Sequence, residues 1–376
     1  EKEDMVVTVT SGGYIKRTPL IDFRAQKRGG KGVAGMQTKE EDVITTLFVA
    51  NTHTQLLFFT TDGMAYKLKT WRLPQGGRTS KGKAIVNILP IPPGVSIAAI
   101  MPVDRDEEEW GDLQVVFATS AGTVRRNKLS DFTNVKSNGK IAMKFEDDHA
   151  ETTMINARIA SHDDDVMLIT NSGRAIRFPA TDVRVFNSRA SVGVRGIRLN
   201  GDDTVVSMSI VRHFDATSEE RTAYLKMRRA MAGVADDTET DEEEALADPN
   251  FSNERYVEMS AAENLILTIS SQGSGKLSSS HDYPVRGRGG MGVTAMDKAM
   301  RGGEIVASFP VEMDDQIMLA TSKGQSIRVP VEGISFRSRS AGGVKVFNTG
   351  KNEVVVSVAW IADQGNEDDE GGDTEE

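Results

Sequence analysis

MVVTVTSGGYIKR, residues 5–17, decides the fold, because the chain returns to the same plan five more times. An apolar, β-rich run leads into a polar turn that holds a glycine, and a short second run ends in a base. The plan recurs as LLFFTTDGMAYK (56–67), VVFATSAGTVRR (115–126), VMLITNSGRAIR (166–177), LILTISSQGSGK (265–276) and IMLATSKGQSIR (317–328). The turn glycines are Gly13, Gly63, Gly122, Gly173, Gly273 and Gly324, with spacings of 50, 59, 51, 100 and 51. The spacing of 100 holds one insertion of about a repeat's length. A second glycine follows each: Gly32, Gly82, Gly139, Gly193, Gly292 and Gly343 lie 19, 19, 17, 20, 19 and 19 residues later. Each opens a further short strand.

Short runs of Val, Ile, Leu, Phe and Thr suit a half-buried pleated surface. The first glycine supplies the positive φ that a tight hairpin turn requires. A unit of about 50 residues with four strands has the size of one propeller blade. One such sheet cannot bury both of its faces, so six are expected to pack round an axis. The fold class is therefore all-β, with six blades. The alternative, a row of β-sandwiches, fails because no repeat is long enough. The 35 Gly and 38% hydrophobic residues also suit short strands and turns better than a helical bundle.

The formal net charge is −10, but it is unevenly distributed. Residues 213–258 hold 13 acids and 5 bases, and residues 363–376 hold 8 acids and no base. The remaining chain is at +6 and is compatible with a polyanionic partner. There is no Cys, which excludes disulfides and thiolate metal sites and fits a reducing cytoplasm. No apolar run approaches the roughly 18 residues of a membrane helix, and no signal peptide opens the chain. A start at Glu1 reads as a piece of a longer protein.

The insertion between the fourth and fifth repeats opens with ATSEERTAYLKMRRAM (216–231). Ser218 is placed to cap a helix there, with acids early and bases late. The following ADDTETDEEEALADPN is charged, poor in apolar residues and expected to be disordered. The domain reading is a disc over 1–362, interrupted by a partly helical acidic insertion at 213–258, with an acidic tail at 363–376. Insertion and tail are either tolerated appendages or internal competitors of the polyanion. A competing tail predicts tighter polyanion binding when residues after Asp363 are removed.

Several fragments that look catalytic fail on inspection. Gly273-Ser274-Gly275-Lys276 lacks the Ser or Thr of a phosphate loop, since Leu277 follows. RGRGGMG at residues 286–292 opens no helix, so it is not a dinucleotide fingerprint. The five His show no ligand spacing. Asp163, Asp164 and Asp165 lack the Gly and distal Glu of a calcium loop and read as a solvated turn. A propeller hydrolase would need acids or a nucleophile converging on the axis, whereas the recurrent polar feature is basic. No catalytic, metal or cofactor residue is expected.

The densest basic stretch runs from Arg24 to Gly32 and contains Gln26, Lys27, Arg28, Gly29, Gly30, Lys31 and Gly32. Glycines let backbone N–H groups approach phosphate, and Lys and Arg neutralise it. QKRGGKG resembles the heptapeptide box of the DNA gyrase A C-terminal domain, with Lys27 where Arg is commoner. EDMVVTVTSGGYIKR, FVANTHTQLLFFTTDGMAYK and VFATSAGTVRRNKLSDF resemble its blades, and the likeness covers the chain except the insertion and the tail. The related topoisomerase IV protein carries a similar domain with a degenerate or absent box, so the intact box favours gyrase. A protein-binding propeller scaffold is the alternative from another class.

The resemblance implies a six-bladed β-pinwheel with strands exchanged between neighbours and DNA bent round a basic rim, so that the whole enzyme introduces negative supercoils. It implies as partners double-stranded DNA, the gyrase A N-terminal breakage-reunion part and gyrase B, in the cytoplasm at the nucleoid. ATP and Mg belong on gyrase B and the cleavage core. The bases expected on the track, besides the box, begin with Lys16 and Arg17 in blade one, then Lys67, Lys81 and Lys83 in blade two. Blades three and four offer Arg125, Arg126, Lys140, Arg177 and Arg195. Blades five and six offer Lys276, Arg286, Arg288, Arg328, Arg337, Arg339 and Lys345. Arg286 to Gly292 reads as a worn copy of the box.

Overall fold

A computed structural model describes residues 1–23, 44–77, 79–145, 151–187, 191–233, 250–297 and 303–361. Blade one is β1 (Asp4–Thr10), β2 (Tyr14–Pro19) and β3 (Ile44–Asn51). The second repeat gives β4 (Gln55–Thr60), β5 (Met64–Lys69), β6 (Lys83–Ala84) and β7 (Ile97–Val103). The third gives β8 (Gln114–Thr119), β9 (Thr123–Lys128), β10 (Lys140–Ile141) and β11 (Met154–Ala160). The fourth gives β12 (Asp164–Thr170), β13 (Arg174–Pro179), β14 (Val185–Phe186), β15 (Val194–Arg195) and β16 (Val205–Arg212). The fifth gives β17 (Leu265–Ser270), β18 (Ser274–Ser279), β19 (Val293–Thr294) and β20 (Ile305–Val311), and the sixth β21 (Gln316–Thr321), β22 (Ser326–Pro330), β23 (Val344–Lys345) and β24 (Val355–Ile361).

The order within each sheet explains the second glycine. In the second sheet β7, β4 and β5 come from one repeat, but the outermost strand, β10, comes from the next. The same exchange puts β6 on β2, β15 on β9, β19 on β13 and β23 on β18. The sequence-based pinwheel expectation therefore holds. Glycine is needed where an exchanged strand meets its host. Gly292 has φ 74°, and a Cβ on it would collide with the carbonyl oxygen of Ala175 on β13. Ladder pairing closes Thr294 on Arg174 just beyond it.

Hydrophobic clusters fill all six junctions between neighbouring blades. Val7 and Phe58 share one, Leu168 and Val116 another, and Met167 and Ile266 a third. Leu267 meets Ile317, and Phe59, Phe117 and Phe132 pack edge-to-face with centroids 5.2, 5.6 and 5.8 Å apart. The ring closes where Val6 and Leu47 meet Ile361, with β24 beside β3 in parallel. This cluster has three fully buried members among the described residues, against fourteen between the second and third sheets. Successive residues of one strand thus face opposite neighbours, as Val6 and Val7 do. That is why the hairpin strands are continuous apolar runs, buried on both faces rather than on one.

The insertion carries two helices. α1 (Ser218–Met231) is capped by Thr217, whose side chain and that of Glu220 form a reciprocal capping box, so Ser218 lies inside the helix instead. α2 (Asn253–Ala262) was not expected from the sequence; Ser252 caps it. Tyr224, Leu225 and Met259 make a small core with Phe214. Glu263 ties the pair to the disc, accepting from the Tyr224 hydroxyl, Arg228 and Ser279 on β18. The Arg228 guanidinium lies 4.3 Å over Phe336, so α1 reaches across blade five to the sixth repeat. The acidic stretch expected to be disordered falls largely at 234–249, outside the described residues.

Candidate nucleic-acid interface

The exposed cations of the track cluster on the exchanged strands and the loops that lead into them. Lys83 lies in β6 with Lys81 before it, Arg195 in β15 and Lys345 in β23, and all four are exposed. Arg286 and Arg288 are exposed in the loop before β19. Because the exchanged strands form the outer edge of their host sheets, these side chains stand on the rim. Lys140, in β10, is half-buried and donates to the Asp131 carbonyl 2.8 Å away. Gln26, Lys27, Arg28, Gly29, Gly30, Lys31 and Gly32 lie outside the described residues.

A second group is turned inward. Arg125 and Lys276 are 0% exposed, Arg177 3% and Arg126 7%. Arg177 donates to Asp165 at 2.9 Å and to the carbonyls of Ser280 and Arg212 at 2.6 and 2.9 Å. Burial lowers its pKa, opposed by Asp165. Asp165 is itself 0% exposed, so the expected solvated turn is in part an internal counter-ion. Burial likewise lowers the pKa of Arg126, whose Nη1 reaches Gln114 at 3.0 Å. Lys276 lies in β18, just after the turn glycine of the stretch that looked like a phosphate loop, and burial pushes it down to about 7. These four have no usable surface to offer a phosphate, and we set them aside as contacts. The reason is geometric: each side chain is packed inside the disc, against its own sheet or under the loop of the next repeat.

The rest are half-buried. Lys16 and Arg17 reach carbonyls at 73–80, and Lys67 pairs with Glu107 at 2.5 Å. Arg328 faces Gln316, with its pKa lowered by burial, and Arg339 donates to Asp282 and Thr294. Arg337 is half-buried, and its backbone N–H donates to Leu277.

The worn box in blade five shows how such a loop is held. Gly289 N–H donates to Gly196 at 2.7 Å, and Gly290 accepts from Arg198 at 2.8 Å. Arg288 donates to the carbonyls of Asp182 and Arg195, both at 3.1 Å. Beside it lies a cleft of about 540 Å³ lined by Thr123, Gly193, Arg195, Arg288 and Gly289. Arg184, exposed and 4.2 Å from the Phe186 ring, and Arg72, 4.8 Å from the exposed Trp71 ring, join the cationic surface. Sequence reasoning missed both. The available signal was an arginine within two residues of an aromatic in the stretch between the hairpin and the exchanged strand.

The comparisons with known proteins agree with this architecture. A family described as the DNA gyrase C-terminal domain, beta-propeller, matches residues 4–51, 54–104, 114–153, 164–212, 264–312 and 315–359, one segment per blade. The DNA gyrase A protein of Rickettsia bellii is 42% identical over 100% of this chain and 41% of its own length. That of Granulibacter bethesdensis is 43% identical over the same shares. The chain thus spans about two fifths of the relatives it matches. A crystal structure of the C-terminal domain of DNA topoisomerase IV superposes with a TM-score of 0.68 at 21% identity, covering 96% of this chain and 94% of that one. A DNA gyrase A C-terminal domain structure gives 0.64 at 22%, covering 96% and 100%. Those two likenesses concern the fold. Six matched segments, each coinciding with one of the six observed blades, place the chain in the DNA gyrase C-terminal β-propeller domain family.

Proposed function

We propose that the chain binds duplex DNA through its phosphates and bends it round the outer rim, as the wrapping arm of a gyrase that introduces negative supercoils. The carrying observation is that the exposed Lys81, Lys83, Arg195, Arg286, Arg288 and Lys345 stand on or beside exchanged strands, at the outer edge of their sheets. Such a belt follows a backbone without reading bases, so binding is sequence-tolerant and bending favours flexible DNA. Bending 20–30 base pairs smoothly costs roughly 1–6 kcal/mol, more than one cluster supplies, so several blades must act together. Within the whole protein the partners are the breakage-reunion part of gyrase A, and gyrase B, with ATP and Mg acting there, in the cytoplasm at the nucleoid.

A gel shift with random duplex at low salt tests the reading. Retention of duplex is expected; no retention would favour a protein-binding scaffold. Neutralising Lys27, Arg28 and Lys31 together is expected to abolish bending of short duplexes while the thermal transition persists. Normal wrapping of a minicircle by that folded variant would contradict the part given to the box.

A further inference from the structure

Three buried or half-buried cations share one repeat position, three residues after the turn glycine: Lys16, Arg125 and Lys276. All belong to odd-numbered repeats; the even ones carry Tyr66, Ile176 and Ile327 there. Each cation enters the loop that precedes the exchanged strand of the following blade. Lys16 Nζ donates to the carbonyls of Gly77 and Ser80, both at 2.8 Å. Arg125 donates to Ser191 at 2.7 Å and to Ala142. Lys276 Nζ donates to three carbonyls, those of Ser338, Arg339 and Ala341, at 2.9, 2.5 and 2.7 Å.

Three donors on one ammonium match three acceptors, so Lys276 is satisfied without contacting an acid. The consequence lies on the other side of the loop. In a trans peptide the N–H points opposite to the C=O. Carbonyls gathered inward on Lys276 therefore turn the N–H groups of Ser340 and Gly342 away from it, toward the side where the exposed Lys345 follows. Ala341 N–H between them donates to the Ser338 carbonyl, so it is these two alternate N–H groups, with the cation, that offer donors to an anion.

We propose that Lys276, like Lys16 and Arg125, is a positioning residue. It gathers the carbonyls of the next blade's outer loop inward so that the N–H groups and cations of that loop face a polyanion. This rests on the DNA reading above. The loops of blades two, four and six share this arrangement; the stretch before β10 receives Lys67, which donates to the Thr133 carbonyl, and the loop before β19 is held by Arg174, which donates to Met291 and Gly292.

The test uses the full chain with K276M, K276R, K345A and the K276M/K345A double variant. Hydrogen exchange without DNA is read first. K276M is expected to speed exchange in residues 338–343 while the β17–β18 amides stay protected; an unchanged loop would overturn the proposal. Affinity for random duplex is then read against salt. K276M is expected to flatten the slope of log K against log salt by at least about 0.9, the loss of one phosphate contact or more. K345A should cost less in the K276M background than alone, because a released loop no longer presents Lys345. K276R should restore most of the slope. Additive losses, or wild-type binding by folded K276M, would overturn the proposal. If K276M does not fold, K16M read against K83A applies the same criteria at blade two. Failure of the wild type to retain duplex would instead sink the DNA reading, and the exchange result would still decide the positioning.

Discussion

At Gly292 the backbone sits at φ 74° with the Ala175 carbonyl where a Cβ would be. Gly292→Ala must strain the turn or push the exchanged strand off β13, and is expected to cost about 1–3 kcal/mol. Gly111, which has open space around it and no positive φ, serves as the control and should tolerate alanine. A thermal transition unchanged in G292A would contradict the close-approach account. His213 gives a second residue-scale prediction. Its ring nitrogens each lie 2.8 Å from a carboxylate oxygen, of Asp165 and of Asp215. Burial pushes the imidazole pKa down, but the bonds to Asp215 and Asp165 outweigh it and the net value is raised. A raised folded-state pKa adds stability in full below the ordinary histidine value of about 6.5, lost as pH climbs through the folded value. Melting temperature is therefore expected to fall from near pH 6.5 upward more steeply in the wild type than in H213Q; equal pH profiles would refute this. The turn glycines were legible in sequence because positive φ is a local demand. The inward direction of Lys276 and Arg177 was not, because a base in the second hairpin strand reads alike whether it meets water or the carbonyls of the next repeat.

Among the strands, junction quality varies round the ring. Phe59, Phe117 and Phe132 interlock between the second and third sheets, and Phe117→Ala is expected to cost about 3–5 kcal/mol in denaturant unfolding. Among the described residues the closure is thinner: β24 and β3 share one ladder pair, Ile361 with Leu47, over the small Val6 cluster. Native-state hydrogen exchange should therefore find β24 and β3 opening at lower free energy than β4 and β8. Equal protection at both places would show that closure depends on more than these contacts. Strand positions were legible from the runs and their glycines. The two-sided burial of those runs was less so, because it follows from sheets being sandwiched between neighbours. Helix α1 was visible in its charge order, but its cap moved to Thr217, since the reciprocal bond with Glu220 requires that spacing. Helix α2 was hidden by its polar sequence and is held by Met259, which packs beside Tyr224 and whose carbonyl bonds His281 at 2.6 Å.

Across the whole molecule, a net charge of −10 coexists with a rim of exposed Lys and Arg, because the acids are concentrated in the insertion and the tail. The repeat made the ring and its exchanged edge legible, and hence the general place of the track. It did not separate rim cations from internal ones, since that depends on which way each strand faces. The most direct test is the salt dependence of random-duplex affinity, for the wild type and for a variant with Lys81, Lys83, Arg195, Arg288 and Lys345 changed to Ala. Each phosphate contact contributes about 0.9 to the slope of log K against log salt. A rim track predicts a steep wild-type slope that flattens by several units in the folded variant, whereas a slope unchanged by removal of the five cations would contradict the account.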